Sequence, residues 1–358
     1  MKKCLVIAIV FFTLILLISC TDGNEDSASL DNIVSSVNST QIISCNEDSS
    51  EVSLDSKDES SEFSEIIESS YNEELSLDGE GSSQMESSDS FENSDVHYKE
   101  YLGFEYYGFE ENDLTSVIIK LKEVLDNSPS EFSVYYKNIN TGEIFNYQGN
   151  TLYRNASVIK APYVKYILSQ NIDLEQKLIM SESKIQNGAG VINKQPIGTE
   201  FTIKDLIKYS IINSDNTAYK MLYDYFGFNG FNNYTKSYGI NTKTSAADFL
   251  GYMNVKECGT LFEDIYYYMN NNSNGNVLYE YLTNTTYNKL IPAGINDVKI
   301  AHKYGYMSGY TTVIHDAGIV YEENPYILII YSKYDVEKGS REQDFAAISK
   351  IINEFHKK

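Results

Sequence analysis

Ser157-Val-Ile-Lys-Ala-Pro-Tyr-Val-Lys-Tyr-Ile-Leu168 places a hydroxyl and an amine three residues apart at the head of an apolar helix. The i, i+3 spacing puts Ser157 and Lys160 on one helical face. A Ser hydroxyl is a weak nucleophile until a base takes its proton. A Lys can be that base only where burial or a neighbouring positive charge lowers its pKa toward neutrality. The helix N-terminus adds a partial positive field that favours developing negative charge. Alone, the pattern is cheap: Ser181-Glu-Ser-Lys184 fits it too, in a polar stretch that leads into no apolar helix. A helix-start Ser with a solvated Lys one turn later is the plain alternative.

Two further motifs lie downstream. Ser214-Asp-Asn216 falls in a short connection between a helix ending near Ile212 and another starting near Thr217. Ser-x-Asn also occurs at Ser36, Ser44 and Ser70, so by itself it reads as a turn with a helix cap. Lys303-Tyr-Gly305 is the only Lys-x-Gly of the chain and ends a predicted strand before Tyr306-Met-Ser-Gly309; alone it is an edge-strand Lys before a turn Gly.

The surrounding pattern is that of one folded unit, residues 113–358. Leu114, Val117, Ile118, Leu121 and Leu125 recur at helical spacing up to about Asn127. A hairpin follows, with Ser133-Val-Tyr-Tyr-Lys137 and Glu143-Ile-Phe-Asn-Tyr147 flanking Asn140-Thr-Gly142. The middle is helical, over about 158–168, 203–212, 217–225 and 259–269, with Thr202-Ile-Lys-Asp205 resembling a capping box. Strand-rich runs return at 298–303, 311–321 and 326–332, and a helix over 342–356 closes the chain. This order predicts an α/β chain of the α+β type: one antiparallel sheet built from both ends of the unit, flanked by helices, with a helical subdomain between the strands.

Taken together, in this order and on these elements, the three motifs resemble the serine β-lactamase and penicillin-binding-protein superfamily, closest to class A β-lactamases. The likeness extends to Gly188-Ala-Gly-Val191, to Gly198-Thr-Glu-Phe-Thr202 and to His315-Asp-Ala-Gly-Ile-Val-Tyr321. It implies a β-lactamase/transpeptidase-like fold without cofactor. Ser157 would be a nucleophile forming an acyl-enzyme with an amide or lactam carbonyl, and Lys160 its base. Ser214 would relay a proton to the leaving nitrogen, and Asn216 would hold the substrate's amide side chain. Lys303 would supply positive charge for a substrate carboxylate, with Tyr304, Gly305 and Tyr306 completing the substrate strand. The backbone N–H groups of Ser157 and Tyr306 would form an oxyanion hole.

Two departures bear on activity. Tyr304 stands where the family usually has Thr or Ser to help bind the carboxylate. No Glu followed two residues later by Leu-Asn occurs between Asn216 and Lys303, so the loop that positions deacylating water in class A enzymes looks deleted. Asp248 and Glu257 are the nearest substitutes, and each reads better as a surface or cap residue. The expected function is therefore a serine hydrolase of the β-lactamase type. The alternatives are a D,D-peptidase-like cell-wall amide hydrolase with slow β-lactam turnover, and a noncatalytic muropeptide-binding envelope protein. A Ser-His-Asp hydrolase is disfavoured by the absence of a Gly-x-Ser-x-Gly elbow.

The first twenty residues carry an address. Lys2-Lys3 precedes an apolar run from Leu5 to Ile18 broken only by Thr13, too short to span a bilayer. Leu17-Ile-Ser-Cys20 resembles a bacterial lipobox, which implies lipidation of Cys20 and an extracytoplasmic, membrane-anchored protein; plain secretion is the alternative. Residues 21–100 hold 22 Asp or Glu against Lys57 and Lys99, a net −20 out of −23 for the chain. With 22 Ser as well, the tract up to residue 112 reads as a disordered acidic tether. The charge belongs to the tether and excludes nucleic acid as a natural partner. Cys4, Cys45 and Cys258 form no disulfide framework, and His97, His302, His315 and His356 are too scattered for zinc, so no metal is expected. The expected partners are a β-lactam or peptidoglycan-derived peptide and the membrane; the expected state is a monomer.

Overall fold

Tyr326-Ile-Leu-Ile-Ile-Tyr331 is buried on both sides, because alternate residues of a strand face opposite ways. Leu328 and Ile330 join one core with Phe345, Ile348 and Ile352; Ile327, Ile329 and Tyr331 join another with Leu261, Phe262 and Ile265. A strand with helices on both faces is thus the centre of the molecule. The computed structural model describes residues 98–309, 312–335 and 341–358. Of the two units into which the chain divides, 1–89 and 90–358, all described residues belong to the second. The export signal, Cys20 and most of the acidic tract lie outside them.

In chain order the elements are β1 (Lys99–Tyr101), β2 (Phe104–Tyr107), α1 (Glu111–Asn127), β3 (Glu131–Asn138), β4 (Ile144–Tyr147) and β5 (Tyr153–Arg154). A 3-10 turn (Ala156–Ile159) leads into α2 (Lys160–Leu168). There follow β6 (Lys177–Ile179), β7 (Glu200–Thr202), α3 (Ile203–Ile212), α4 (Asn216–Phe226), α5 (Asn229–Ser237), β8 (Tyr252–Met253), α6 (Val255–Asn271) and α7 (Gly275–Thr283). The unit closes with β9 (Ile300–Met307), β10 (Thr312–Val320), β11 (Tyr326–Tyr334) and α8 (Glu342–His356). The main sheet runs β1-β2-β4-β3-β11-β10-β9, antiparallel at every pairing. Packed on one face are α1 and α8; the other face meets α6, where Gly259 allows close approach, since a Cβ there would lie 2.4 Å from the Tyr135 ring. The expected antiparallel sheet, helical flanks and inserted helical block are all present.

The domain starts earlier than residue 113. Strands β1 and β2 extend the sheet beyond β4, and Phe104 and Tyr106 enter the core while Tyr107 faces out. Strands within 98–112 thus belong to the folded domain rather than to the tether assigned up to 112. Helices α5 and α7 fall in stretches with no assigned element. The helix beginning at Val158 is a 3-10 turn followed by α-helix from Lys160. This keeps Ser157 and Lys160 aligned, since positions i and i+3 eclipse in a 3-10 turn.

Candidate active site

Edge strand β9 runs beside the 3-10 turn that carries Ser157, and Gly305 is the point of contact. A Cβ at Gly305 would lie 2.9 Å from the Ser157 nitrogen and 3.0 Å from that of Val158. Gly305→Ala is therefore expected to push strand and turn apart. Misplacement of about 1 Å costs on the order of 10²-fold in rate, and labelling of Ser157 by a serine-directed fluorophosphonate should slow by that order.

Behind the turn, His315 on β10 is fully buried and bonds the Arg154 carbonyl through Nε2 (2.9 Å), while its Nδ1 accepts from the Ser332 N–H. The ring stacks on Tyr331 at 4.0 Å. It anchors the chain three residues before Ser157 and keeps away from the cleft. Burial pushes its pKa down to about 4. Above the ordinary value of 6.5 both folded and unfolded states hold it neutral. As pH falls from there toward about 4 only the unfolded state takes the proton, so stability is lost. The loss reaches about 3 kcal/mol at the acid end. Denaturant midpoints between pH 7 and 4 should show this slope, and His315→Gln should remove that share of it.

Ala156 (φ +47°) and Ser214 (φ +53°) are both in the left-handed region without being glycine. Such strain costs on the order of 1–3 kcal/mol per residue and gathers at functional sites. Both residues line a cleft of about 550 Å³, together with Ser157, Asn216, Phe249, Leu250, Tyr287, Tyr304 and Tyr306. Lys160 lies beneath, fully buried, its Nζ donating to the Ser214 carbonyl (2.7 Å) and to Asn216 Oδ1 (2.7 Å). Burial first, and then the nearby Lys303 charge, hold its pKa well below the usual Lys value, against an opposing pull from Asp215. Lys303, also fully buried, donates to Ser214 Oγ (3.0 Å) and to the Tyr304 carbonyl (2.8 Å). Burial brings its pKa down to about 7, with Asp316 opposing.

Asp215 builds the loop that carries its neighbours. It caps α4 by accepting from the Ala218 N–H (2.8 Å) and also accepts from the N–H groups of Val191 and Ile192. Asn216 donates through Nδ2 to the Asn187 carbonyl (2.9 Å). The Gly188-Ala-Gly-Val191 segment is thus sewn to the Ser-Asp-Asn loop.

Of the eight site residues expected from the sequence, Ser157, Ser214, Asn216, Tyr304 and Tyr306 line one cleft, Gly305 abuts the Ser157 turn, and both lysines lie buried behind the wall. The two acids considered as substitutes do not join them. Asp248 pairs with Arg154 (2.8 Å) and accepts from the N–H groups of Leu250 and Gly251, folding the 245–251 loop. Glu257 completes a capping box with Asn254 at the start of α6. At Thr202 the hydroxyl accepts from the Asp205 N–H, half of the expected box. Among the described residues lining the cleft there is no Asp or Glu. Phe249, Leu250 and Tyr287, which form part of the wall, have no motif of their own; Tyr287 is placed by distant contacts, its ring 4.6 Å from that of Tyr304 and its hydroxyl on Glu342.

Residues 117–356 match the family described as "Beta-lactamase enzyme family". The chain belongs to that family. Among solved structures, the β-lactamase-family domain is similar to PBP-A (24% identity, TM-score 0.60, covering 68% of this chain and 97% of that one). A point mutant of PBP-A, similarly alike at 23% identity, has been solved as an acyl-enzyme complex with penicillin G. The class A β-lactamase from Mycobacterium abscessus is 17% identical (TM-score 0.60, 68% and 100% covered). The β-lactamase from Sphaerobacter thermophilus DSM 20745 is also 17% identical (TM-score 0.57, 67% and 96% covered). At these identities the likeness is one of fold. No curated protein matches the chain in sequence. The cleft of this β-lactamase-family domain has two buried amines behind it and a hydroxyl pair, and among its described lining residues no carboxylate.

Proposed function

We propose that the protein is a serine hydrolase that transfers an acyl group from an amide or lactam to Ser157 and releases it slowly. The observation that carries this reading is Lys160. An amine fully buried, bonded to two neutral oxygens and bearing no carboxylate partner is held toward its uncharged form, which a general base requires. In the first step Ser157 Oγ bonds to the carbonyl carbon while Lys160 Nζ takes the hydroxyl proton. The amide C–N bond then breaks, and the Ser214 hydroxyl passes a proton to the leaving nitrogen, its own loss made good from the buried amines. The backbone N–H groups of Ser157 and Tyr306 receive the oxyanion, and Asn216 holds the acyl side chain. Donors of this kind are worth roughly 3–4 kcal/mol in a transition state.

Release needs a water activated beside the acyl bond, and no acid lines the described cleft to activate it. This favours the cell-wall amide hydrolase with slow β-lactam turnover over an efficient β-lactamase. Cys20 would hold the protein to the outside of the cell membrane, in reach of peptidoglycan-derived peptides, a placement supported by the sequence of the first twenty residues.

The test is intact-mass analysis of the full chain over time with millimolar benzylpenicillin and, separately, a neutral thioester acyl donor. A persistent adduct that Ser157→Ala abolishes is the expected result. Fast turnover lost in Ser157→Ala would instead mark an efficient β-lactamase, and no adduct from either donor would return the protein to a binding role.

A further inference from the structure

Lys303 is the residue whose charge would attract a substrate carboxylate, yet its amine is committed inside the protein. Two of its three N–H donors go to Ser214 Oγ and the Tyr304 carbonyl. The centre of the Tyr304 ring lies 4.4 Å from Nζ, within cation–π reach. None of the Lys303 side chain is exposed. Tyr287 backs Tyr304 with its ring centroid 4.6 Å away, and the Tyr287 hydroxyl is itself held by the Glu342 carboxylate.

The segment that brings Tyr287 is fixed from below. Thr285 Oγ1 meets His302 Nε2 (2.6 Å), His302 Nδ1 meets Asp316 (2.9 Å), and Asp316 accepts from the Ile291 N–H (3.0 Å). The aromatic pair is therefore built in rather than swung aside.

Among the described residues that line the cleft there is no Lys or Arg. Residues 304–332 contain no Lys or Arg, so neither the rest of β9 nor β10 can supply one. Lys160 is buried against Ser214 and Asn216. Lys289 is exposed and 6.0 Å from the centre of the Tyr287 ring, outside the cleft lining. Burial, which brings the Lys303 pKa to about 7, weakens its charge further at neutral pH.

We propose that the leaving-group half of the cleft selects an uncharged group, so that the natural acyl donor carries no free carboxylate beside the bond that is cut. Lys303 serves the Ser214 hydroxyl, and Tyr304 with Tyr287 presents rings and a hydroxyl where an anion would otherwise sit. The substrate class is an amide or ester within a chain, or one whose terminus is blocked, rather than a terminal amino-acid carboxylate. This rests on the acyl-transfer reading of Ser157.

The experiment uses two thioesters with one common acyl group, one leaving as mercaptoacetate and one as its methyl ester. Adduct formation on Ser157 in the full chain is followed by intact mass, and each rate is divided by that donor's own hydroxide-driven hydrolysis. The expected result is a preference of about tenfold or more for the methyl ester, the discrimination of roughly one charge interaction. In Tyr304→Thr, which uncovers Lys303, the preference is expected to shift toward the free carboxylate by a similar factor. Equal or faster acylation of wild type by the mercaptoacetate donor overturns the inference while leaving acyl transfer at Ser157 intact. Failure of both donors to mark Ser157 overturns acyl transfer and this inference together. The wild-type comparison decides even where the variant fails to fold.

Discussion

Lys160→Met should slow acylation of Ser157 by about 10²- to 10⁴-fold, the range a positioned general base contributes, with the fold retained. Methionine matches the length of the Lys stem and fits a site already closed to water. What it loses are the two bonds from Nζ to the Ser214 carbonyl and Asn216 Oδ1. What it gains is release from keeping an amine dry, the dominant cause of the lowered pKa. These act in opposite directions on stability, whereas the rate has no such compensation. The pH profile separates a base from a structural prop: the wild-type rate should rise as Lys160 loses its proton, and the Met variant should lack that limb. A variant that acylates at the wild-type rate would remove Lys160 from the mechanism.

Asp215→Ala should carry the largest cost in stability, on the order of 3–9 kcal/mol, because it strands three N–H groups at roughly 1–3 kcal/mol each. Those groups belong to Ala218, Val191 and Ile192, so the α4 cap and the tie to the Gly188 segment fail together. Ser214 and Asn216 flank the lost side chain, and acylation should fall even at temperatures where the variant stays folded. Removing Asp215 also takes away the charge that holds the Lys160 pKa up. The midpoint of denaturant unfolding measures the first effect and the rate of adduct formation the second. A midpoint within experimental error of wild type would show that the loop stands without its aspartate.

Where the sequence spoke clearly, a single physical signal dominated. The bounds of α3 and α8 follow from unbroken apolar periodicity, and the strands β9 to β11 from runs of β-branched and aromatic residues. Strands β1 and β2 were hidden because Phe104-Glu-Tyr-Tyr107 alternates within reach of a long acidic tract, and composition outweighed period. Helix α5 buries only Phe231 and Thr235 among Asn and Gly residues, too little for a pattern to show. The motif residues of the cleft were legible because their spacing carries chemistry. Tyr287 was not, since its position is set by Glu342 and Tyr304, far away in the chain. The absence of a Glu-x-Leu-Asn stretch between Asn216 and Lys303 could be read directly. That Asp248 and Glu257 are committed to holding up the 245–251 loop and the start of α6 needed their hydrogen-bond partners.

The aromatic wall of the cleft also has an optical meaning. The chain has 31 tyrosines and no tryptophan, so beyond the phenylalanine bands its near-ultraviolet signal comes from phenol rings. Tyr287, Tyr304 and Tyr306 sit at the cleft, two of them in mutual contact. Occupation of the site should therefore register in tyrosine dichroism and emission, with no indole to mask it, so that acylation could be followed without an added dye.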